Sequence, residues 1–130
     1  MTFKLAEAFV ALAAMEFDRL VAFYQQLLEQ SPDRFVPNVY AEFQLPGLKF
    51  GIFRPKHPTA SDADSPHRTI GMSLCLEVAN LDAAISHLTA LGYPPPGKIL
   101  TASHGREVYA YDPEGNWLIL HQSSSDSMQK

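Results

Sequence analysis

Two carboxylates, a histidine and a set of aromatic rings carry the chemistry open to this sequence, and they stand at alternating positions in short apolar-rich segments. In an extended strand, residues two apart share a face. Trp117, Ile119 and His121 therefore oppose Leu118 and Leu120, while Glu107, Tyr109 and Tyr111 oppose Val108 and Ala110. Earlier in the chain, Tyr40, Glu42 and Gln44 alternate with Val39, Ala41, Phe43 and Leu45, and Lys49, Gly51 and Phe53 oppose Phe50 and Ile52. Register in this earlier part is open, because a slip of one residue would exchange the faces. Aromatic faces attract planar rings and cations, and carboxylates complement amines. Glu107, Tyr109 and His121 could also move protons as general acids and bases. A buried, unpaired carboxylate is costly, so Glu42 and Glu107 are expected to be solvated or paired, with Lys49 and Arg106 as internal partners.

The remaining reactive side chains have plainer readings. His57 and His67 fall in a polar linker, and His87 reads as a surface or packing residue of a helix. His104, in Ser103-His104-Gly105-Arg106, reads as a turn residue with ligand contact as the alternative. His121 joining Glu107 or Glu42 in a displaced metal site would need a third converging ligand, which the spacing does not demand. Cys75 sits inside an apolar run and reads as a small buried hydrophobe.

The elements that position these residues are repeated. At an offset of 64 residues, Phe9–Ala14 falls on Ser73–Val78, and Glu16–Val21 falls on Asn80–Ile85. Each apolar run reads as a strand followed by a helix. The first helix has apolar positions at Phe17, Leu20, Val21, Tyr24, Leu27 and Leu28, and the second at Leu81, Ala84, Ile85, Leu88 and Leu91. Asp or Asn is expected to cap each helix start, with Ser31-Pro32 stopping the first helix and Gly92 with Pro94–Pro96 the second. Three strands follow each helix: Arg34–Val36, Val39–Leu45 and Lys49–Arg54, then Lys98–Thr101, Glu107–Tyr111 and Trp117–Gln122. The fold class is α+β, with a βαβββ module at residues 1–54, a linker at 55–69, a second module at 70–122 and a polar tail at 123–130. One helix covers one face of each sheet, so two modules side by side are expected to curl into a half-barrel with a concave cleft. That cleft would be lined by Phe9, Tyr40, Glu42, Phe53, Glu107, Tyr109, Trp117, Ile119 and His121.

The segment Asp112-Pro113-Glu114-Gly115-Asn116, between the last two strands, is a tight hairpin turn. Pro pre-sets φ, Gly supplies the left-handed position and Asp caps locally. With Trp117-Leu118-Ile119-Leu120 after it, this hairpin resembles the terminal one of the vicinal oxygen chelate superfamily. That superfamily includes glyoxalase I, extradiol dioxygenases, and fosfomycin- and bleomycin-resistance proteins. The resemblance spans nearly the whole chain and implies the half-barrel of two βαβββ modules. Metal-using members place ligands on the first and last strand of each module, positions that fall here on Phe9, Gly51, Ser73 and Ile119. Only the Ser hydroxyl among these can coordinate, and weakly, so the usual metal site is expected to be absent and no cofactor is expected. The chain thus resembles the metal-free, bleomycin-resistance-like members, which implies a homodimer binding a small molecule.

Composition narrows the alternatives. A chain of 130 residues with 46% hydrophobic and 18% charged residues is globular and large enough for one ordinary domain. A net charge of −4 without Lys/Arg clusters argues against nucleic acid. No stretch has the roughly 18–20 apolar residues of a membrane helix, and no signal peptide is evident. A single cysteine excludes an internal disulfide, so a cytoplasmic protein is expected. The leading expectation is a metal-independent protein whose aromatic, acidic cleft binds an aromatic or amine-bearing ligand. The alternatives are a lyase, isomerase or dioxygenase-like enzyme with a displaced metal or acid–base site, and an interaction domain with a vestigial cleft.

Overall fold

The computed structural model describes Lys4, residues 6–55 and residues 72–124. Nearly all of the expected linker, including His57 and His67, and the tail beyond Ser124 lie outside the described residues. The chain divides into two compact units, residues 1–63 and 64–130, each built on the same plan.

The first unit runs β1 (Val10–Ala13), α1 (Phe17–Leu28), β2 (Arg34–Val36), β3 (Tyr40–Leu45) and β4 (Leu48–Phe53). Its sheet has the order β1-β4-β3-β2, with β1 parallel to β4 and the other pairs antiparallel. Phe17, Leu20, Val21 and Tyr24 recur at helical spacing on α1 and are buried with Ala41, Phe43, Leu45, Phe50 and Ile52 of the sheet. Tyr24 meets Phe50 edge-on at 4.9 Å between ring centroids. Burying each such side chain stabilises the fold by about 1.5–3 kcal/mol. The helix start differs from expectation, since Glu16 occupies the N-cap and makes no side-chain cap bond. The helix also ends before Ser31-Pro32, at Glu29 in the left-handed conformation (φ 55°), whose N–H bonds the Gln25 carbonyl.

The second unit repeats the order as β5 (Ser73–Glu77), α2 (Leu81–Leu91), β6 (Leu100–Ala102), β7 (Gly105–Tyr111) and β8 (Trp117–Ser123), in a sheet of order β5-β8-β7-β6. Here the expected cap forms: the Asn80 side chain accepts from Ala83 N–H at 3.0 Å. Gln122 reaches over from β8 and accepts from Leu81 N–H at 2.7 Å, satisfying a second free donor of the helix start. Leu81 and Leu88 are buried on the helix side with Val108, Ala110, Leu118 and Leu120.

The β7–β8 turn is held from its own first residue. Buried Asp112 accepts from Glu114 N–H at 2.8 Å, Asn116 N–H at 2.9 Å and the Asn116 amide at 2.7 Å. Gly115 takes the left-handed φ of 84° that the turn requires.

Candidate functional site

Strand pairing decides which side chains share the face left open by each helix. In the first unit, Tyr40 pairs with Phe53, Glu42 with Gly51 and Gln44 with Lys49, so these six share one face. The register left open by the sequence is therefore the unslipped one. Val39 precedes β3 and is exposed, so it is not part of the apolar face. Phe9 precedes β1, and its exposed ring lies under the Lys49 ammonium at 5.4 Å.

A polar network occupies this face. Tyr40 Oη donates to Glu42 Oε1 at 2.8 Å, and Lys49 Nζ lies 3.9 Å from Glu42 Oε2 and 2.5 Å from Glu7 Oε2. Glu42 is buried, so the carboxylate is paired rather than solvated, with Lys49 as expected and Tyr40 as the nearer partner. Burial and the hydrogen bond and charge of Glu42 push the Tyr40 phenol up to about 12. The hydrogen bond to Glu7, opposed by partial desolvation and aided by the Glu42 and Glu7 charges, raises the Lys49 ammonium.

Gly51 explains how Tyr40 reaches Glu42. A Cβ at Gly51 would lie 2.8 Å from Tyr40 Oη and 3.0 Å from its Cε1, so the ring occupies the space a side chain there would need. Gly51 thus offers no donor and is covered by a tyrosine.

In the second unit, Tyr111 pairs with Trp117, Tyr109 with Ile119 and Glu107 with His121, while Ser73, Cys75 and Glu77 of β5 pair with Trp117, Ile119 and His121. Tyr109 and Tyr111 flank Trp117 at centroid distances of 6.2 and 6.3 Å. All three rings are 38–40% exposed, so they form a surface rather than a filled core. Cys75 is exposed on this face, against the expectation of burial. It alternates with Leu74 and Leu76, so the apolar run has two sides and the thiol is on the open one. Arg106 does not pair with Glu107. It lies 3.6 Å from Asp82 and 3.4 Å from Gln122, on the helix side, as alternation along β7 requires.

His121 is the centre of a chain of contacts. Its Nδ1 lies 2.7 Å from Glu77 Oε1, and its Nε2 lies 3.1 Å from His104 Nδ1. The other oxygen of Glu77 accepts from Ser123 N–H at 2.7 Å and Ser123 Oγ at 2.6 Å. Desolvation pushes the Glu77 carboxyl up, but the bonds from Ser123 and His121 outweigh it and hold the group below its ordinary value. Glu77 was not among the residues picked from the sequence. The signal was present, since Ser73, Cys75 and Glu77 alternate with Leu74 and Leu76 just as Trp117, Ile119 and His121 alternate with Leu118 and Leu120.

Phe9, Gly51, Ser73 and Ile119, the residues that the resemblance puts at metal-ligand positions, do not fit a metal ion. Phe9, Gly51 and Ile119 offer no donor, and Ser73 Oγ sits 3.9 Å from Cys75 Sγ. Among the described residues, no three His, Cys, Asp or Glu side chains converge. A depression of about 420 Å³ lined by Asp18, Val21, Gln25, Pro32 and Phe35 lies on the helix side of the first unit, on different residues from its open face.

Known structures agree with this architecture. A glyoxalase/bleomycin resistance protein from Catenulispora acidiphila is 24% identical, covers 90% of this chain and 97% of its own, and superposes with a TM-score of 0.65. The fold is that of the vicinal oxygen chelate superfamily. A lactoylglutathione lyase from Agrobacterium tumefaciens is similar at 20% identity, with 91% and 94% coverage and a TM-score of 0.67. A fosfomycin resistance protein from Listeria monocytogenes is similar at 18% identity, with 98% coverage of both chains and a TM-score of 0.71. No protein-family model matches the sequence, and no curated protein matches it. Among the described residues, no helix is long and apolar enough to cross a membrane.

Proposed function

We propose that this chain binds a small organic molecule, aromatic or amine-bearing, without a metal at the superfamily's ligand positions. The observation that carries this is the exposed cluster of Tyr109, Tyr111 and Trp117, with Glu107 and His121 next along the same face. Exposed grouped rings are a ready surface for a planar or cationic group, and a nearby carboxylate favours positive charge. Phe9, Tyr40, Glu42 and Phe53 form a second candidate set on the open face of the first sheet, taken by itself, and Ile119 of the second sheet lies between Trp117 and His121 on its own face. The similarity to resistance proteins that carry this fold supports the class of activity, and the ligand itself is not carried over. We read the protein as a cytoplasmic homodimer; exposed apolar residues on the edge strands, Phe35, Val36 and Leu100, support the dimer.

A thermal-shift screen against aromatic amines and against oxo-acids tests the reading, because a ligand of the native state raises the melting temperature by mass action. Aromatic amines should shift the wild type and not Trp117→Ala. A response confined to oxo-acids would count against it. One observation favours a second, catalytic reading: Glu77 holds His121 at 2.7 Å, an arrangement that orients a general base.

A further inference from the structure

We propose that the groove between α1 and β2 of the first unit is a binding site for a linear aliphatic polyamine, a chain with an ammonium group at each end. The groove lies on the helix side of that unit, and the small-molecule binding proposed above, on the second unit, does not depend on it.

The groove exists because α1 leaves the edge strand uncovered. Arg34, Phe35 and Val36 are all exposed, and among the described residues β2 pairs with β3 alone. Alternation puts Phe35 on the helix side, across from buried Ala41, and its ring stacks on Phe17 at 6.2 Å and 22°. Glu29 in the left-handed conformation ends α1 and turns the chain, and Ser31 and Pro32 close the groove beyond the helix end. The facing wall is one stripe of α1, Asp18, Val21, Ala22 and Gln25, at the i, i+3, i+4 and i+7 spacing that shares a helix face. The space between the walls is about 420 Å³, within the range of small-ligand sites.

Charge and length select the ligand. Among the described residues, the exposed Asp18 carboxylate, the Gln25 amide and the Ser31 hydroxyl have no side-chain partner. No cation competes for Asp18: Arg19 lies 3.8 Å from Glu16, and Arg34 is on the opposite face of the sheet, in register with Glu42. At the far end the C-terminus of α1 carries partial negative charge, with no basic residue in its last turn. Both ends therefore favour an ammonium. The apolar floor between them suits a methylene chain, and the half-exposed Phe35 ring offers a face to a central ammonium. Asp18 and Gln25 are two helical turns apart, about 10.5 Å along the axis. An extended chain advances about 1.2 Å per bond, so about nine bonds between terminal nitrogens span the groove. Spermidine has that length, and putrescine falls well short of it.

Calorimetric titration of spermidine into the full-length protein at low salt tests the proposal. Saturable binding of one spermidine per chain is expected, at least about tenfold tighter than putrescine or than heptylamine, which lacks the second ammonium. Asp18→Asn should weaken it about tenfold or more through loss of a charge-assisted contact. Ala22→Lys, which lays its own ammonium chain in the groove, should abolish it. Both positions are exposed on α1. Circular dichroism melts check that each variant is folded, and if Ala22→Lys is not, Asp18→Asn carries the test. Trp117→Ala should leave spermidine binding unchanged while removing the response to aromatic amines. No saturable binding in the wild type, full-strength binding in folded Asp18→Asn, or loss of spermidine binding in Trp117→Ala would overturn the proposal. The two sites are read by different ligands and different variants, so either can fail without the other.

Discussion

Gly51→Ala is a one-carbon change with a spectroscopic consequence eleven residues away. The new Cβ would come within 2.8 Å of Tyr40 Oη, 3.0 Å of Cε1 and 3.2 Å of Cζ, so the rigid ring must move. Moving it breaks the 2.8 Å bond from Tyr40 to the buried Glu42 carboxylate. A hydrogen bond to a charged group contributes about 1.5–3 kcal/mol. Replacing Gly by Ala within a strand returns about 0.5–1 kcal/mol. The net cost is about 0.5–2.5 kcal/mol, or roughly 2–12 °C in melting temperature for a chain of this size. The sharper readout is alkaline titration followed at the tyrosinate absorption band. In the wild type, Tyr40 should ionise near pH 12, because burial and Glu42 hold its phenol there. Because the folded state favours the neutral phenol, this contribution is complete below about pH 10 and is lost as pH rises from there toward 12. Gly51→Ala should bring the Tyr40 step back toward pH 10, and Tyr40→Phe should remove one tyrosine's amplitude from the late step. In the Tyr40→Phe background, Gly51→Ala should cost clearly less, a coupling that a double-mutant cycle measures. A late step that stays near 12 in Gly51→Ala, with an unchanged melting temperature, would refute the reasoning.

Glu42→Gln should also lower the late tyrosine step, by removing the charge that disfavours the phenolate, as the same titration would show. Asp112→Ala strips the β7–β8 turn of three accepted bonds and should cost about 2–4 kcal/mol in urea unfolding. Asn80→Ala should cost about 1 kcal/mol through loss of the α2 cap, whereas Glu16→Ala, with no cap bond to lose, should be near neutral.

Much of the architecture was legible because it rests on local patterns. β2 was read at its observed bounds, and the Asp-Pro-Glu-Gly-Asn turn states its conformation in residues whose φ preferences leave little choice. The open faces followed from alternation. What escaped needed cross-strand register. Nothing local to Gly51 says that Tyr40 lies over it, and nothing local to His121 says that Glu77 stands beside it. Cys75 was misread for a related reason: a run of apolar residues looks uniformly buried until its partner strand shows which side faces the helix. Likewise Arg106, adjacent in sequence to Glu107, is separated from it by the pleat.

The aromatic face of the second sheet is proposed to bind a small molecule without a metal at Phe9, Gly51, Ser73 and Ile119. Calorimetric titration of an aromatic amine from the screen into protein kept in excess chelator tests it most directly. Saturable binding should persist in chelator and fall at least about tenfold in Trp117→Ala and Glu107→Ala, both on exposed or half-buried positions that leave the fold intact. Binding that vanishes on chelation, or that is equally strong in both variants, would contradict the claim.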